Sequence, residues 1–283
     1  MSRSIPYDPT RRALYKPCAD AVVLEASATR SEVLLCAELS RLVYCAFEKH
    51  AVVRHAVTSQ LTALGFSDCI FFDANGLQAF LTVNPVKRLG ALVYRGTQVD
   101  ELKDTLTNAN AFLRPWAGTG RVHKGFADML VGKWRDIQAA IDGHQGIRLL
   151  YTGHSLGAAL ATLSASLRRP DALYTFGSPR VGDAAFGASM TGAICERYVD
   201  CGDIVCRIPD AIWSYEHIGI MKYFDRNGTL RAGIGDAEMR ADQRSAAIAY
   251  PLRYGWRQPT NVLLRSFADH APVNYVHALR AMA

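Results

Sequence analysis

The chain has 283 residues and a formal net charge of +6, and a single α/β domain with a large buried core fits this length. Its hydrophobic share of 49% and charged share of 20% exclude a chain that is disordered throughout. The arginines are scattered and no nucleic-acid-binding motif accompanies them, which argues against a nucleic-acid partner. The positive charge indicates an ordinary basic surface, with attraction to an anionic lipid surface as the lesser alternative.

The cysteines and the first residues bear on the compartment. Seven cysteines leave at least one unpaired, and none lies in a C-x-x-C or zinc-site spacing. Cys36, Cys45 and Cys69 stand among apolar residues, so we expect core side chains there rather than disulfide partners. Residues 1–30 contain no apolar run of signal-peptide length. We therefore expect a reducing compartment and a cytoplasmic or leaderless-export location, unless a leader has been removed.

Helical and strand patterns alternate after an extended arm that contains several prolines. We predict an arm over 1–30 and a single domain over 31–283. Asn75-Gly76 between two strand patterns is typical of a β-hairpin, and Ser31 is a candidate N-cap. The predicted elements in chain order are a helix from Ser31, a helix over 50–64, strands over 69–73, 77–83 and 91–94, a polar segment with a weak helix over 98–120, a helix over 126–141, strands over 147–152, 173–176 and 197–199, a small hairpin over 223–231, a helix over 236–250 and a last helix from Pro272.

The sequence Gly153-His154-Ser155-Leu156-Gly157 lies between a predicted strand and a helix rich in small residues. G-x-S-x-G in this context is the nucleophile elbow of α/β-hydrolases, in which a strained turn exposes the serine above the sheet. The uncharged run from Leu149 to Leu167 has the nominal length of a membrane span. We reject a span, because the histidine, glycines and hydroxyl residues within this run favour a buried strand and helix.

A serine nucleophile needs a histidine base, a carboxylate that orients the base, and donors for the oxyanion. The chain order in α/β-hydrolases is serine, acid, histidine, which leaves His217, His270 and His277 as candidate bases. The N–H of Leu156, the residue after Ser155, is the first expected oxyanion donor.

Six motifs, in order and at compatible spacing, resemble those of the class 3 lipases of filamentous fungi and plants. They are Tyr94-Arg95-Gly96-Thr97, Val122-His123-Lys124-Gly125-Phe126, Gly153-His154-Ser155-Leu156-Gly157, Thr175-Phe176-Gly177-Ser178-Pro179-Arg180-Val181-Gly182, Gly202-Asp203-Ile204-Val205-Cys206-Arg207-Ile208-Pro209 and Asp269-His270. The resemblance covers residues 70–280 and leaves out the N-terminal 30. It implies the α/β-hydrolase fold, with a mostly parallel central sheet flanked by helices.

Carried over by position, the resemblance implies a catalytic triad of Ser155, Asp203 and His270, with Thr97 beside Leu156 in the oxyanion hole. Acyl transfer by such a site requires no metal and no organic cofactor. The implied function is hydrolysis of carboxylic esters of the acylglycerol type, with a lipid or other ester as substrate and transient contact with a lipid interface. A phospholipase A1 or a short-chain or feruloyl-type esterase on the same scaffold is the near alternative, and an inactive lipid-binding protein the distant one.

Several other residues have structural interpretations. We expect Asp200 and Asp210 to be solvent-facing or turn residues, and His217 to have the structural role that a similar histidine has in the family. His277 falls within the last helix, and His123 is expected to bond a nearby backbone group. The segment 98–116 corresponds to the family's amphipathic lid, and Trp116 is either an acyl-pocket wall, a membrane anchor or a core residue.

Overall fold

A computed structural model describes residues 5–18, 24–97, 112–190, 194–255 and 258–282. The strands are β1 Asp68–Ala74, β2 Leu77–Asn84, β3 Leu89–Tyr94, β4 Leu113–Pro115, β5 Arg121–His123, β6 Arg148–His154, β7 Ala172–Phe176, β8 Ile194–Asp200, β9 Ile220–Phe224 and β10 Leu230–Arg231. The α-helices are α1 Arg11–Tyr15, α2 Glu32–Leu42, α3 Ala51–Ala63, α4 Lys124–Asp142, α5 Leu156–Leu167, α6 Ala184–Ser189, α7 Asp236–Tyr250, α8 Arg265–Ala268 and α9 Pro272–Arg280. Short 3₁₀ turns occupy Ala26–Arg30, Val205–Arg207 and Ala211–Trp213.

The central sheet has the strand order β1, β2, β3, β6, β7, β8, β9, β10 in the described chain. Strands β3, β6, β7, β8 and β9 run parallel, while antiparallel hairpins form the two edges. The carboxyl ends of the parallel strands therefore meet at one edge, where open α/β sheets place their ligands. Ser155 follows β6 at this edge, and Asp203 follows β8.

Helices cover both faces of the sheet, which explains why its central strands are apolar on both sides. One core contains, among others, Leu92, Tyr94, Phe126, Leu130, Tyr151 and Leu160, contributed by β3, β6, α4 and α5. The core on the other face contains, among others, Leu34, Leu150, Phe176, Tyr198, Tyr275 and Leu279, contributed by β6–β8, α2 and α9. Small residues at the start of α5 allow this helix to pack closely on the sheet.

The fold class predicted from the motifs is confirmed, and so are most elements. The turn between β1 and β2 has positive φ at Asn75 (51°) and Gly76 (84°), the conformation that a type I′ hairpin requires. The helix predicted over 236–250 is α7, the small hairpin is β9–β10, and the last helix begins at Pro272. Ser31 caps α2 by accepting the N–H of Leu34.

The polar segment was only partly predicted. Residues 98–111 lie outside the described residues, so the expected lid does too. The prediction of irregular chain over the remainder was wrong, because Leu113–Pro115 and Arg121–His123 pair as a two-stranded sheet. Strands of three residues are too short to show an alternating pattern.

The N-terminal part of the chain also differs from its expectation. Within the predicted extended arm, Arg11–Tyr15 form a helical turn capped by Thr10. Cys18 forms a disulfide with Cys45, so the expectation of an unbridged Cys45 was wrong. Sequence alone does not show that Cys18 lies beside the chain that follows α2 in the folded protein. Because disulfides persist in oxidising compartments, this pairing removes one argument for a reducing one. The division at residue 30 stays a prediction.

Among the described residues, no helix is both long enough and apolar enough to span a lipid bilayer.

Candidate active site

Ser155 occupies a sharp turn between β6 and α5. Its backbone has φ 61° and ψ −130°, a conformation that non-glycine residues rarely adopt. A Cβ atom on Gly153 would collide with the backbone of Gly157, and one on Gly157 would collide with Tyr94. The two glycines of the motif are therefore required by the close approach of α5 to the sheet.

Three buried side chains form a continuous hydrogen-bonded chain at this edge. Oγ of Ser155 lies 2.9 Å from Nε2 of His270, and Nδ1 of His270 lies 2.8 Å from Oδ2 of Asp203. An ionised carboxylate can only accept hydrogen bonds, so Nδ1 carries the proton and Nε2 accepts from the serine hydroxyl. The structure thus brings together the serine, acid and base named from the sequence, while their catalytic roles stay predictions.

Asp203 is held as an anion within the protein. Burial by itself raises the pKa of this carboxyl, but His270 and the hydroxyl of Tyr275 more than offset the effect and lower it below the usual range. The Tyr275 hydroxyl donates to Oδ2 at 2.6 Å, and the N–H of Val205 donates to Oδ1 at 2.8 Å. Sequence reasoning missed Tyr275, because a tyrosine in the last helix gives no local signal of a contact with Asp203.

His154 supports the loop that carries His270. Its Nε2–H donates to the backbone carbonyl of His270 at 2.8 Å, and its Nδ1 accepts the Tyr44 hydroxyl at 2.8 Å. The two imidazole rings lie 4.4 Å apart between centroids. Burial, and secondarily the neighbouring His270, lowers the pKa of His154 well below its usual value, so this ring is neutral.

The expected oxyanion donors flank the serine. Leu156 begins α5, so its N–H belongs to the first turn, whose N–H groups have no acceptor within the helix. A Cβ atom on Gly96 would lie 3.0 Å from Cβ of Ser155, which places the Gly96-Thr97 segment beside the nucleophile. Oγ1 of Thr97 is buried and has no hydrogen-bond partner among the described residues. A donor with this placement is free to meet a substrate oxygen.

The rival histidines have structural environments. Nε2–H of His217 donates to the carbonyl of Cys206 at 2.8 Å, and burial lowers the pKa of His217 to about 3. His123 caps α4 by accepting the N–H of Phe126 at 3.4 Å. His277 lies within α9, as expected.

One expectation about the acidic residues was wrong. Asp200 is buried at the end of β8, and burial together with the charge of Asp269 raises its pKa well above the usual range. Helices that cover this strand end exclude the solvent that a terminal carboxylate normally meets. Asp210 is exposed and caps a 3₁₀ turn, as expected. Trp116 is a core residue whose Nε1–H donates to Ser166 at 2.8 Å.

Within the described residues, no group of histidine, cysteine and acidic side chains is arranged to hold a metal ion. The hydrogen-bonded chain at Ser155 can instead transfer a proton between a hydroxyl and an imidazole. Such an arrangement suits nucleophilic attack on an acyl group.

Residues 91–212 match the sequence model of the family described as Lipase (class 3). Over this segment, which is less than half of the chain, the protein is similar to class 3 lipases. The matched segment contains Thr97, Ser155 and Asp203, whereas His270 follows it.

Two named lipases are similar to parts of this chain. A secreted mono- and diacylglycerol lipase of Fusarium solani is 33% identical over 157 residues, which are 50% of this chain and 46% of that protein. The triacylglycerol lipase OBL1 of Arabidopsis thaliana is 34% identical over 107 residues, 31% of this chain and 21% of that protein. The chain therefore spans less than half the length of these relatives.

The fold is also that of solved lipases. The native propeptide complex of the Rhizomucor miehei lipase superposes with a TM-score of 0.57 at 21% identity, covering 78% of this chain and 82% of that one. A triacylglycerol lipase whose catalytic centre is described as a serine protease triad gives the same TM-score at 21% identity, over 71% and 82% of the two chains. At this identity the likeness establishes the fold alone.

Proposed function

We propose that this protein is a serine carboxylic-ester hydrolase that acts on acylglycerol-type lipids. The observation that carries the proposal is the hydrogen-bonded chain from Ser155 through His270 to Asp203. The names of the relatives in Fusarium and Arabidopsis, both acylglycerol lipases, support the substrate class.

The first step is attack of the Ser155 hydroxyl on the ester carbonyl. His270 takes the hydroxyl proton at Nε2, and Asp203 stabilises the resulting imidazolium and holds its orientation. The negative charge that develops on the carbonyl oxygen is stabilised by the N–H of Leu156 and by Thr97. One donor of this kind is typically worth about 3 kcal/mol in the transition state.

The second step releases the acid. When the tetrahedral intermediate collapses, the alcohol leaves with the proton that His270 carried, and an acyl-enzyme on Ser155 remains. His270 then takes a proton from water, whose oxygen attacks the acyl carbonyl. The acid leaves and the Ser155 hydroxyl is restored, so a single base serves both steps.

Contact with a lipid interface is part of the proposal. Ile212 and Trp213, which follow Asp203, are 80% and 54% exposed, and Leu263 and Leu264, which precede His270, are 71% and 58% exposed. Large apolar side chains on both loops suit insertion among lipids. Substituting Ile212 and Trp213 by serine should weaken flotation of the protein with a triacylglycerol emulsion. Val86→Ser is the matched control, because Val86 is 91% exposed near the opposite edge of the sheet.

The decisive experiment measures hydrolysis of p-nitrophenyl esters, from short to long acyl chains, and of emulsified triacylglycerol. Ser155→Ala should lower kcat/KM by roughly 10⁴-fold or more on every ester. Ser40→Ala is the matched control, because Ser40 is also buried but its hydroxyl bonds Thr152. A maximum at long chains supports the lipase, and a maximum at short chains an esterase. If wild type and Ser155→Ala are both inactive on all esters, the proposal is wrong and a lipid-binding role replaces it.

A further inference from the structure

A wholly buried carboxylate next to the base is not used in the mechanism described above. Asp269 immediately precedes His270, and its side chain has no exposed surface. Oδ2 accepts the N–H of Gly202 at 2.9 Å, and Oδ1 accepts the hydroxyl of Tyr7 at 2.8 Å. Nε–H of Arg265 lies 3.2 Å from both oxygens. The Asp269 side chain therefore joins three segments of the chain: its own, the one that contains Gly202 and the one that contains Tyr7.

Two of those segments carry the acid and the base. Gly202 is the residue before Asp203, and Asp269 is the residue before His270. The Asp269–Gly202 hydrogen bond thus joins the two loops one residue away from the two reacting side chains. A second link runs from the N–H of Ile204 to the carbonyl of Ser266 at 3.0 Å. These two contacts hold the loop of Asp203 against the loop of His270.

The third segment comes from the N-terminus. The backbone of Asp8 donates to Oδ1 of Asn274 at 2.8 Å, and Nδ2 of Asn274 donates back to the carbonyl of Asp8 at 3.0 Å. The N–H of Val262 donates to the carbonyl of Pro9 at 2.8 Å. We call residues 5–11 the N-terminal strap. It lies along residues 260–274, the part of the chain that contains His270.

Tyr7 connects the strap to the buried carboxylate. Its hydroxyl bonds Asp269, and the guanidinium of Arg265 lies 5.4 Å from the centre of its ring. Burial raises the pKa of Asp269 to about 6 against the opposing attraction of Arg265. The carboxylate is therefore ionised near neutral pH, where its bonds to Arg265, Gly202 and Tyr7 are charge-assisted.

We infer that Asp269 is a positioning residue of the triad, and that Tyr7 of the N-terminal strap holds Asp269 in place. This inference rests on the proposed function for its consequence in turnover. Asp269 acts through the backbone: it fixes the loop of His270 against the loop of Asp203. The N-terminal strap is then a part of the active site's framework, although it contributes no reacting group.

The test uses Asp269→Asn and Tyr7→Phe in the full chain. Misplacing His270 against Asp203 should lower kcat of Asp269→Asn roughly 10- to 100-fold, with KM within about twofold of wild type. Tyr7→Phe removes one donor alone and should lower kcat about three- to tenfold. Each variant is assayed well below its own unfolding temperature, so loss of folded protein does not enter kcat.

Two matched controls separate positioning from stability. Glu38→Gln changes a buried carboxylate that pairs with Arg41 and Arg280, and Tyr174→Phe removes a hydroxyl that donates to Glu32. Both should lower stability but leave kcat within about twofold of wild type. If Tyr7→Phe and Asp269→Asn lose stability with kcat equally unchanged, the inference is wrong.

A second readout does not require turnover. The low-field proton NMR resonance of Nδ1–H of His270 reports its hydrogen bond to Asp203. It should shift or broaden in Asp269→Asn and Tyr7→Phe but not in the two controls. A wild type that cleaves no ester would end the proposed function, while a shifted resonance in these variants would still support the positioning role. An unchanged resonance in both variants would overturn it, and Tyr7→Phe keeps the test decisive if Asp269→Asn does not fold.

Discussion

The hydroxyl of Tyr275 is placed between Asp200, the last residue of β8, and Asp203 in the loop that follows. It donates to Oδ2 of Asp203 at 2.6 Å and accepts the backbone N–H of Asp200 at 3.1 Å. Tyr275 belongs to the last helix, 72 positions after Asp203. One of the hydrogen bonds that orient the acid therefore comes from a helix that follows the base.

Replacing Tyr275 by phenylalanine should remove a charge-assisted hydrogen bond from a buried carboxylate. We expect kcat to fall roughly tenfold, KM to stay unchanged, and the free energy of unfolding to fall by about 1–3 kcal/mol. Steady-state kinetics and urea unfolding measure both effects. Tyr198→Phe is the control. Tyr198 packs in the same hydrophobic cluster as Tyr275, but its hydroxyl donates to Glu196. Equal kcat values for the two variants would contradict the prediction.

Because Gly177 has no side chain, the acid and the base can occupy the space beside it. Its φ is 56°, and a Cβ atom there would lie 2.7 Å from Oδ2 of Asp203 and 3.0 Å from Nδ1 of His270. Gly177→Ala should therefore displace both groups and lower kcat by roughly 100-fold. Gly233→Ala is the control: its φ is 64°, but no atom of the described chain lies within 4 Å of the added Cβ. Both variants share the backbone strain, so a common loss of activity would refute the steric explanation.

Substitution of Thr97, whose hydroxyl has no hydrogen-bond partner in the described chain, leads to opposite expectations for stability and activity. Thr97→Val removes a buried hydroxyl that lacks a partner in the described chain, so the melting temperature should stay level or rise. If the hydroxyl serves the oxyanion, kcat should fall about 100-fold. Thr97→Ser keeps the hydroxyl and should stay within a few-fold of wild type. Full activity of Thr97→Val would assign the oxyanion to backbone N–H groups.

Buried neutral histidines should make the fold sensitive to acid. Burial lowers the pKa of His123 from 6.5 to about 4. Above pH 6.5 neither folded nor unfolded His123 is protonated, so it has no effect there. As the pH falls from about 6.5 to about 4, the unfolded state binds a proton that the folded state does not, and stability drops by on the order of 3 kcal/mol.

His123→Asn keeps an acceptor for the helix cap and removes this titration. We expect its melting temperature to fall less than that of wild type between pH 7 and pH 4. Asp269 acts in the opposite direction, because its raised pKa lets the folded state bind a proton first below pH 6. Differential scanning calorimetry across this range measures the slopes, and parallel slopes for the two proteins would rule the explanation out.

Local patterns predicted much of the fold and the order in which the site residues follow one another along the chain. Alternation and turn residues identified the hairpin at Asn75-Gly76, and glycines at fixed offsets identified the elbow at Ser155. These signals are short-range, since each depends on sterics within a few residues. The resemblance to a family then singled out Asp203 and His270 among several acids and histidines.

The remaining features depend on contacts between distant segments. Tyr275, Asp269 and the partner of Cys45 could not be found from periodicity, because their roles exist only after the chain has folded. Asp200 was misjudged for the same reason: a carboxylate at a strand end is usually solvated, and helices from later in the chain bury it here. Long-range packing, rather than local propensity, determines these positions.

The hydrogen bond between Tyr7 and Asp269 joins residues 262 positions apart. A ribosome that adds about 5–20 residues per second needs roughly 10–50 s to make the chain between them. During that time Ser155 emerges without its base, and Tyr7 has no carboxylate to bind. On the proposed function, a chain still being synthesised cannot cleave esters, and cleavage begins only when His270 and the residues around it have folded against the N-terminal strap.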